Sequence, residues 1–185
     1  MVIAGRVDHA FECNQCREHP PAYNQARSLY RYEGGVRTAI HALKYHRDFS
    51  VVPDLARLLA AGAKVHVREP ESYALSAVPL HARKLRERGF NQSLELARHM
   101  RKWFPGQEVW TGIRRVKYTE TQTHLTAAAR RSNVRGAFRV KSKTVPGKIL
   151  LIDDVMTTGS TVDACARALK KGGAEEVRVI TLARG

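Results

Sequence analysis

The stretch from residue 148 to residue 161, KILLIDDVMTTGST, limits what this chain can become more than any other. Past its lysine, residues 149–152 are an unbroken apolar run of the kind found in the middle of a parallel sheet, buried on both faces. That strand hands over to two adjacent acids, Asp153 and Asp154, and then to small, hydroxylated residues leading onto a helix over 161–171. Gly172 and Gly173 close the helix, and a second apolar strand is expected over 176–183. Strand, helix and strand in that order make a βαβ unit. Its right-handed crossover leaves the 153–160 loop at the carboxyl end of the first strand, where open α/β sheets bind their ligands.

The loop carries a specific chemistry. Unpaired amides at a helix start, helped by the positive end of the helix dipole, cradle a phosphate. Thr157, Thr158, Ser160 and Thr161 add hydroxyl donors, and Gly159 lets the backbone approach closely. Successive strand residues point to opposite faces, so Asp153 and Asp154 are expected to diverge, neither as a satisfied core residue. Two such acceptors suit two ribose hydroxyls. The plainer alternative is that the acids and hydroxyls only cap the following helix. Neither a Gly-x-x-x-x-Gly-Lys-[Ser/Thr] loop nor a Gly-x-Gly-x-x-Gly loop occurs.

With 185 residues, the chain has room for one α/β domain and a small appendage. Residues 1–27, rich in polar residues, show no periodicity that would bury a face and read as a separate N-terminal segment; the main domain is expected over 28–185. Within it we expect a strand over 28–32, a turn at Gly34-Gly35, and a helix to about Tyr45 with Val36, Ile40 and Leu43 on one side. A second helix near Pro53 turns Leu55, Leu58 and Leu59 inward. A strand over 73–78 stops at Pro79 and is followed by a basic loop over 81–90 and a helix over 92–104. Residues 109–116 read as a strand. Residues 117–136 are a polar, threonine-rich insertion with a short helix expected around 127–133, and an insertion of that length usually serves a site.

The formal net charge is +15, and residues 81–148 hold 17 Lys/Arg against 4 Asp/Glu. A field of this sign concentrates polyanions, whether pyrophosphate or a nucleic-acid backbone. Arg83, Lys84, Arg86 and Arg88, in a loop after a strand end, could supply the cations that a pyrophosphate needs; the plainer alternative is a solvated basic turn. No apolar run approaches the roughly 20 residues of a membrane span, and three cysteines do not make a secreted disulfide framework, so a cytoplasmic protein is expected. Cys13-x-x-Cys16 has the spacing of two zinc ligands, but a structural site needs four. His9 and His19 could complete it, the chain could start late, or the metal could be lost. Cys165 is expected to be a packing residue.

The 149–161 pattern resembles the binding signature for 5-phosphoribosyl-1-pyrophosphate (PRPP) of type I phosphoribosyltransferases. Further pieces narrow the resemblance: Tyr32-Glu33-Gly34, Ile40-His41-x-Leu43-Lys44, Val78-Pro79-Leu80, Arg88-Gly89-Phe90-Asn91-Gln92, Thr121-Gln122-Thr123-x-Leu125, Arg130, Asn133 and Gly136-Ala137-Phe138. Together they resemble the ComF family of competence-associated, phosphoribosyltransferase-like proteins. The resemblance implies a type I phosphoribosyltransferase fold, with a central mainly parallel sheet flanked by helices, a hood insertion and a small remnant of a zinc ribbon. It implies that Asp153 and Asp154 hold the ribose hydroxyls as the catalytic acids, and that residues 157–161, with Pro79, Leu80 and Arg88, bind PRPP. Gln122, Thr123, Arg130 and Asn133 would belong to the hood.

Mg²⁺ would accompany PRPP, and Zn²⁺ could sit at Cys13 and Cys16. The implied reaction is pentosyl transfer from PRPP with release of pyrophosphate. Purine-salvage relatives commonly carry an Asp where Thr157 stands, and a threonine cannot handle a proton on the base, so a 6-oxopurine acceptor is not expected. Nor is a glutamine-dependent amidotransferase expected, because the chain opens Met1-Val2 and is too short for a glutaminase domain. The alternative implied function is a non-catalytic module of the competence machinery that binds PRPP or single-stranded DNA, with competence proteins as partners.

Overall fold

The strand expected at 149–152 is the axis of the molecule. In the computed structural model, which describes residues 14–118 and 133–185, it runs as β5, Lys148–Met156. Ile149, Leu150, Leu151 and Ile152 are wholly buried. It lies between β2 (Ala74–Ala77) and β6 (Glu176–Arg184), and β1 (Gln25–Arg31) completes a four-stranded sheet of order β1-β6-β5-β2. All three pairings are parallel.

Period-two alternation divides the core into two layers. Leu150, Ile152, Ile180 and Leu182 face one side, packed with Ile40 and Leu43 of α2 (Gly34–His46), Leu55 and Leu59 of α3 (Val52–His66), and Leu96 and Met100 of α5 (Gln92–Met100). Ile149, Leu151, Val177 and Val179 face the other, against Val162, Cys165 and Leu169 of α6 (Ser160–Lys171). Ile113 and Phe138 close that second layer. They belong to a short antiparallel pair, β3 (Ile113–Arg115) with β4 (Phe138–Val140). A short α1 (Asn14–Glu18) precedes β1. Among the described residues, no helix is long and apolar enough to cross a membrane.

Several boundaries differ from the sequence expectation for physical reasons. β5 continues past Ile152 because β6 is long enough to pair with it, Asp153 opposite Thr181 and Val155 opposite Ala183. The two acids therefore lie inside the strand rather than in the loop after it. β1 starts at Gln25 rather than Ser28, since its partner on β6 is available from Arg178. Gly34, at φ +54°, makes the expected turn and opens α2 in the same residue.

The basic stretch expected as a loop is a helix, α4 (Ala82–Arg88). Its amphipathic pattern is absent, but Nδ1 of His81 accepts from the Arg83 amide, Glu87 pairs with Arg83 and Lys84 one turn back, and Gly89 at φ +87° closes it. The helix expected to reach Phe104 tightens to a 3-10 turn over Arg101–Trp103. The strand expected at 109–116 breaks in two: Val109 bridges to Leu75, and only Ile113–Arg115 pairs with β4. The helix expected around 127–133 lies outside the described residues except at Asn133, which is exposed.

Gly62 of α3 marks a close approach of helix to sheet: a Cβ there would stand 2.4 Å from Cδ2 of Leu29 on β1. Gly62→Ala is expected to destabilise the fold by about 1–3 kcal/mol through overpacking, and Leu29→Ala in the same chain to recover part of it; thermal unfolding of the single and double variants measures both.

Candidate functional site

The carboxyl ends of β5 and β2 and the N-termini of α5 and α6 converge on one point. After Met156 the chain turns through Thr157 and Thr158 to Gly159, whose φ of +79° favours glycine, and enters α6. The glycine at the N-cap brings no side-chain acceptor; the Ser160 amide donates instead to Oγ1 of Thr158 at 3.5 Å. Asp153, Val155, Met156, residues 157–161 and Val162 enclose a cavity of about 60 Å³, and Oγ1 of Thr158 lies 2.9 Å from Oγ of Ser160 at its rim. Hydroxyls, helix-start amides and a positive dipole end meet in this small concave site, a combination whose chemistry suits an anion.

The two acids beside this cavity are buried, Asp153 at 9% and Asp154 at 3% exposure, which corrects the expectation that neither is a satisfied core residue. Oδ1 of Asp153 accepts from Oγ of Ser93 at 2.7 Å and from the Asp154 amide at 3.0 Å. Oδ1 of Asp154 accepts from Nε2 of Gln92 at 3.1 Å, and its Oδ2 is met by the ammonium of Lys44. Of the pair, Asp153 lines the cavity and Asp154 does not.

Their electrostatics separate accordingly. Burial, and then the neighbouring charge of Asp154, push Asp153 up from 3.8 to about 7, against the pull of Ser93 and Lys44. Burial would push Asp154 the same way, but Lys44 and Gln92 outweigh it and hold Asp154 below the ordinary carboxylate value. Burial pulls Lys44 down, yet the charge and hydrogen bond of Asp154 leave it raised. Arg115 of β3 also lies close enough to Asp153 for their charges to interact.

Comparison with known proteins identifies the family. Residues 90–185 match the family model described as phosphoribosyl transferase domain. The DNA utilization protein YhgH of Salmonella typhi is 34% identical over 175 residues, spanning 93% of this chain and 77% of that protein. Competence protein F of Haemophilus influenzae is 32% identical over 184 residues, 95% of this chain and 80% of that protein. This chain belongs to the ComF family. Among solved structures, a hypoxanthine phosphoribosyltransferase from Trypanosoma cruzi covers 73% of this chain and 66% of its own, at 14% identity and a TM-score of 0.38.

Within this ComF-family chain, the expected phosphate residues Thr157, Thr158, Gly159, Ser160 and Thr161 are together at the cavity. Pro79 and Leu80 are half-buried just beyond β2, whose end is tied down where the Val78 amide donates to Ile152. Arg88 sits at the end of α4, donating to Gln92 and lying 6.0 Å from the ring centroid of Tyr45. Gln122, Thr123, Arg130 and Cys13 lie outside the described residues, and Cys16 is half-buried in α1. Among the described residues no three His, Cys, Asp or Glu side chains are grouped to hold a metal.

Lys44, Gln92 and Ser93 are site residues to which sequence reasoning gave no role. A signal existed for the first: Lys44 falls four residues after Ile40 on the buried stripe of α2, and a charge on such a stripe requires a buried counter-charge.

The raised Asp153 makes stability depend on pH. Between about 4 and 7 the folded protein holds a proton that the unfolded chain has released, so stability falls as pH rises through that window. Asp153→Asn keeps an oxygen acceptor for Ser93 and the Asp154 amide. It is expected to melt higher than the parent protein at pH 8, with the difference shrinking at pH 5, as followed by calorimetric melting at the two values.

Proposed function

We propose that this chain binds PRPP and transfers its phosphoribosyl group to a nitrogenous acceptor. The observation that carries this reading is the hydroxyl-lined cavity at the N-terminus of α6 with a carboxylate, Asp153, in its wall. The 5-phosphate would sit on the α6 amides and the hydroxyls of 157–161, and the ribose against Asp153. The pyrophosphate would reach toward Arg88 and the rest of α4, with Pro79 and Leu80 beneath it. The C1–oxygen bond to pyrophosphate breaks, a bond from C1 to the acceptor nitrogen forms, and the acceptor's proton leaves to solvent or base. Positive charge developing on the sugar is eased by Asp153 and Asp154, and negative charge on the leaving group by the basic helix.

Mg²⁺ is the expected companion of PRPP. Both acids already accept from Ser93, Gln92 and Lys44, so they do not fit a resident magnesium cage. An ion at this site would be held by the oxygens of PRPP and by water, as Mg²⁺ commonly is.

Thr157, which has no carboxylate to move a proton on a base, favours a second reading in which PRPP is bound without turnover. The relatives named for DNA utilization and competence connect either reading to the handling of DNA. Exposed Tyr45 beside Arg88, with exposed Phe49 near Phe90, offers stacking faces among cations for a single strand.

Calorimetry with PRPP and Mg²⁺ tests the site: saturable binding is expected, and Gly159→Val, which crowds the amides that must approach the phosphate, is expected to weaken it at least tenfold, about 1.4 kcal/mol. Absence of binding to the parent protein removes the proposal. Pyrophosphate release measured across nitrogenous bases then separates the enzyme from the binder.

A further inference from the structure

We infer that Arg47 is a second guanidinium of the pyrophosphate site, set beside Arg88 by the left-handed turn that ends α2. The inference rests on the PRPP reading above and deepens it, adding a contact for the leaving group from outside α4.

Arg47 follows the last residue of α2 with φ +55° and ψ +32°. Glycine takes that left-handed position after a helix without cost, while a residue with a Cβ is strained there. Backbone strain of this kind collects at functional sites. The turn aims the arginine at Gly89: a Cβ built on Gly89 would stand 3.6, 3.7 and 3.9 Å from Nη2, Cζ and Nη1 of Arg47. The guanidinium therefore lies against bare backbone next to Arg88. Two ring contacts tie the end of α2 to the same turn. Phe49 packs on Phe90 with centroids 4.8 Å apart, and the Arg88 guanidinium stands 6.0 Å from the ring centroid of Tyr45.

Neither cation is neutralised by a neighbouring acid. Glu87 pairs with Arg83 and Lys84, and Asp48 is bonded to Ser50. Among the described residues, no carboxylate lies within ion-pair distance of Arg47 or Arg88. Two guanidiniums drawn to one turn repel until an anion lies across them, and their planar forks match the paired oxygens of a phosphate. The turn is also joined to the acids of β5, because Arg88 donates to Gln92 and Gln92 donates to Asp154. A pyrophosphate on Arg47 and Arg88 would thus share one network with a ribose at the paired acids.

Stability and affinity move in opposite directions in the test. Arg47→Gly relieves the left-handed strain and is expected to melt about 2–4 °C above the parent protein. It is nonetheless expected to bind PRPP with Mg²⁺ at least tenfold more weakly in a calorimetric titration. Arg47→Gln, which keeps the strain and removes the charge, is expected to lose the same affinity with no gain in melting temperature. Ribose 5-phosphate, which lacks the pyrophosphate, is expected to bind all three proteins within about twofold.

A loss of PRPP affinity smaller than about threefold in both variants overturns the inference. So does an equal loss for ribose 5-phosphate, or an Arg47→Gly protein that melts lower as it loses affinity, since the arginine would then hold the fold rather than the ligand. A loss seen only with a single-stranded oligonucleotide assigns Arg47 to a DNA backbone and overturns it as well. A parent protein that binds no PRPP instead overturns the reading on which the inference rests, a result distinct from these.

Discussion

Two carboxylates lie side by side at the end of a strand that is buried on both faces, and the surrounding architecture answers that electrostatic demand. Unpaired, either charge in such a place would be expelled or neutralised. The solution is asymmetric: Lys44 reaches in from α2 to keep Asp154 ionised, and Asp153, bonded to Ser93, is left to hold a proton near neutrality. Three helices are oriented by this arrangement, because the donors that satisfy the acids sit on α2 and at the first turn of α5, and Arg88 of α4 is bonded to one of those donors.

The cavity at the start of α6 depends on the same strand from the other direction. β5 must extend to Met156 for Gly159 to fall at the helix start, and it extends only because β6 pairs with it to the end. A shorter β6 would release the acids into a flexible loop and uncouple them from the α6 amides. Sheet length, acid burial and loop position are thus one constraint.

Much of this was legible in the sequence. The apolar run at 149–152, the paired glycines after Lys171 and the hydroxyl-rich loop mark the βαβ unit and the turn between its strand and helix without any tertiary knowledge. The burial of Asp153 and Asp154 was not, because it depends on how far a partner strand runs and on donors 60 and 62 residues away in sequence. Helix α4 was hidden for a different reason. It buries no complete face, so periodicity has nothing to detect, and it stands on a histidine cap and ion pairs. The break at Trp110 to Gly112 was likewise invisible, since the indole lies where a side chain at Gly112 would have to be.

The pairing of β1 with β6 carries a consequence for how the molecule is made. Ser28 and Thr181 share a hydrogen bond across 153 residues of chain, so the sheet is sealed by its most distant segments. During synthesis from the N-terminus, β1, α2 and α3 emerge without the strands that cover them, and Lys44 waits without its acid. Folds rich in such remote pairings form slowly and expose apolar faces meanwhile.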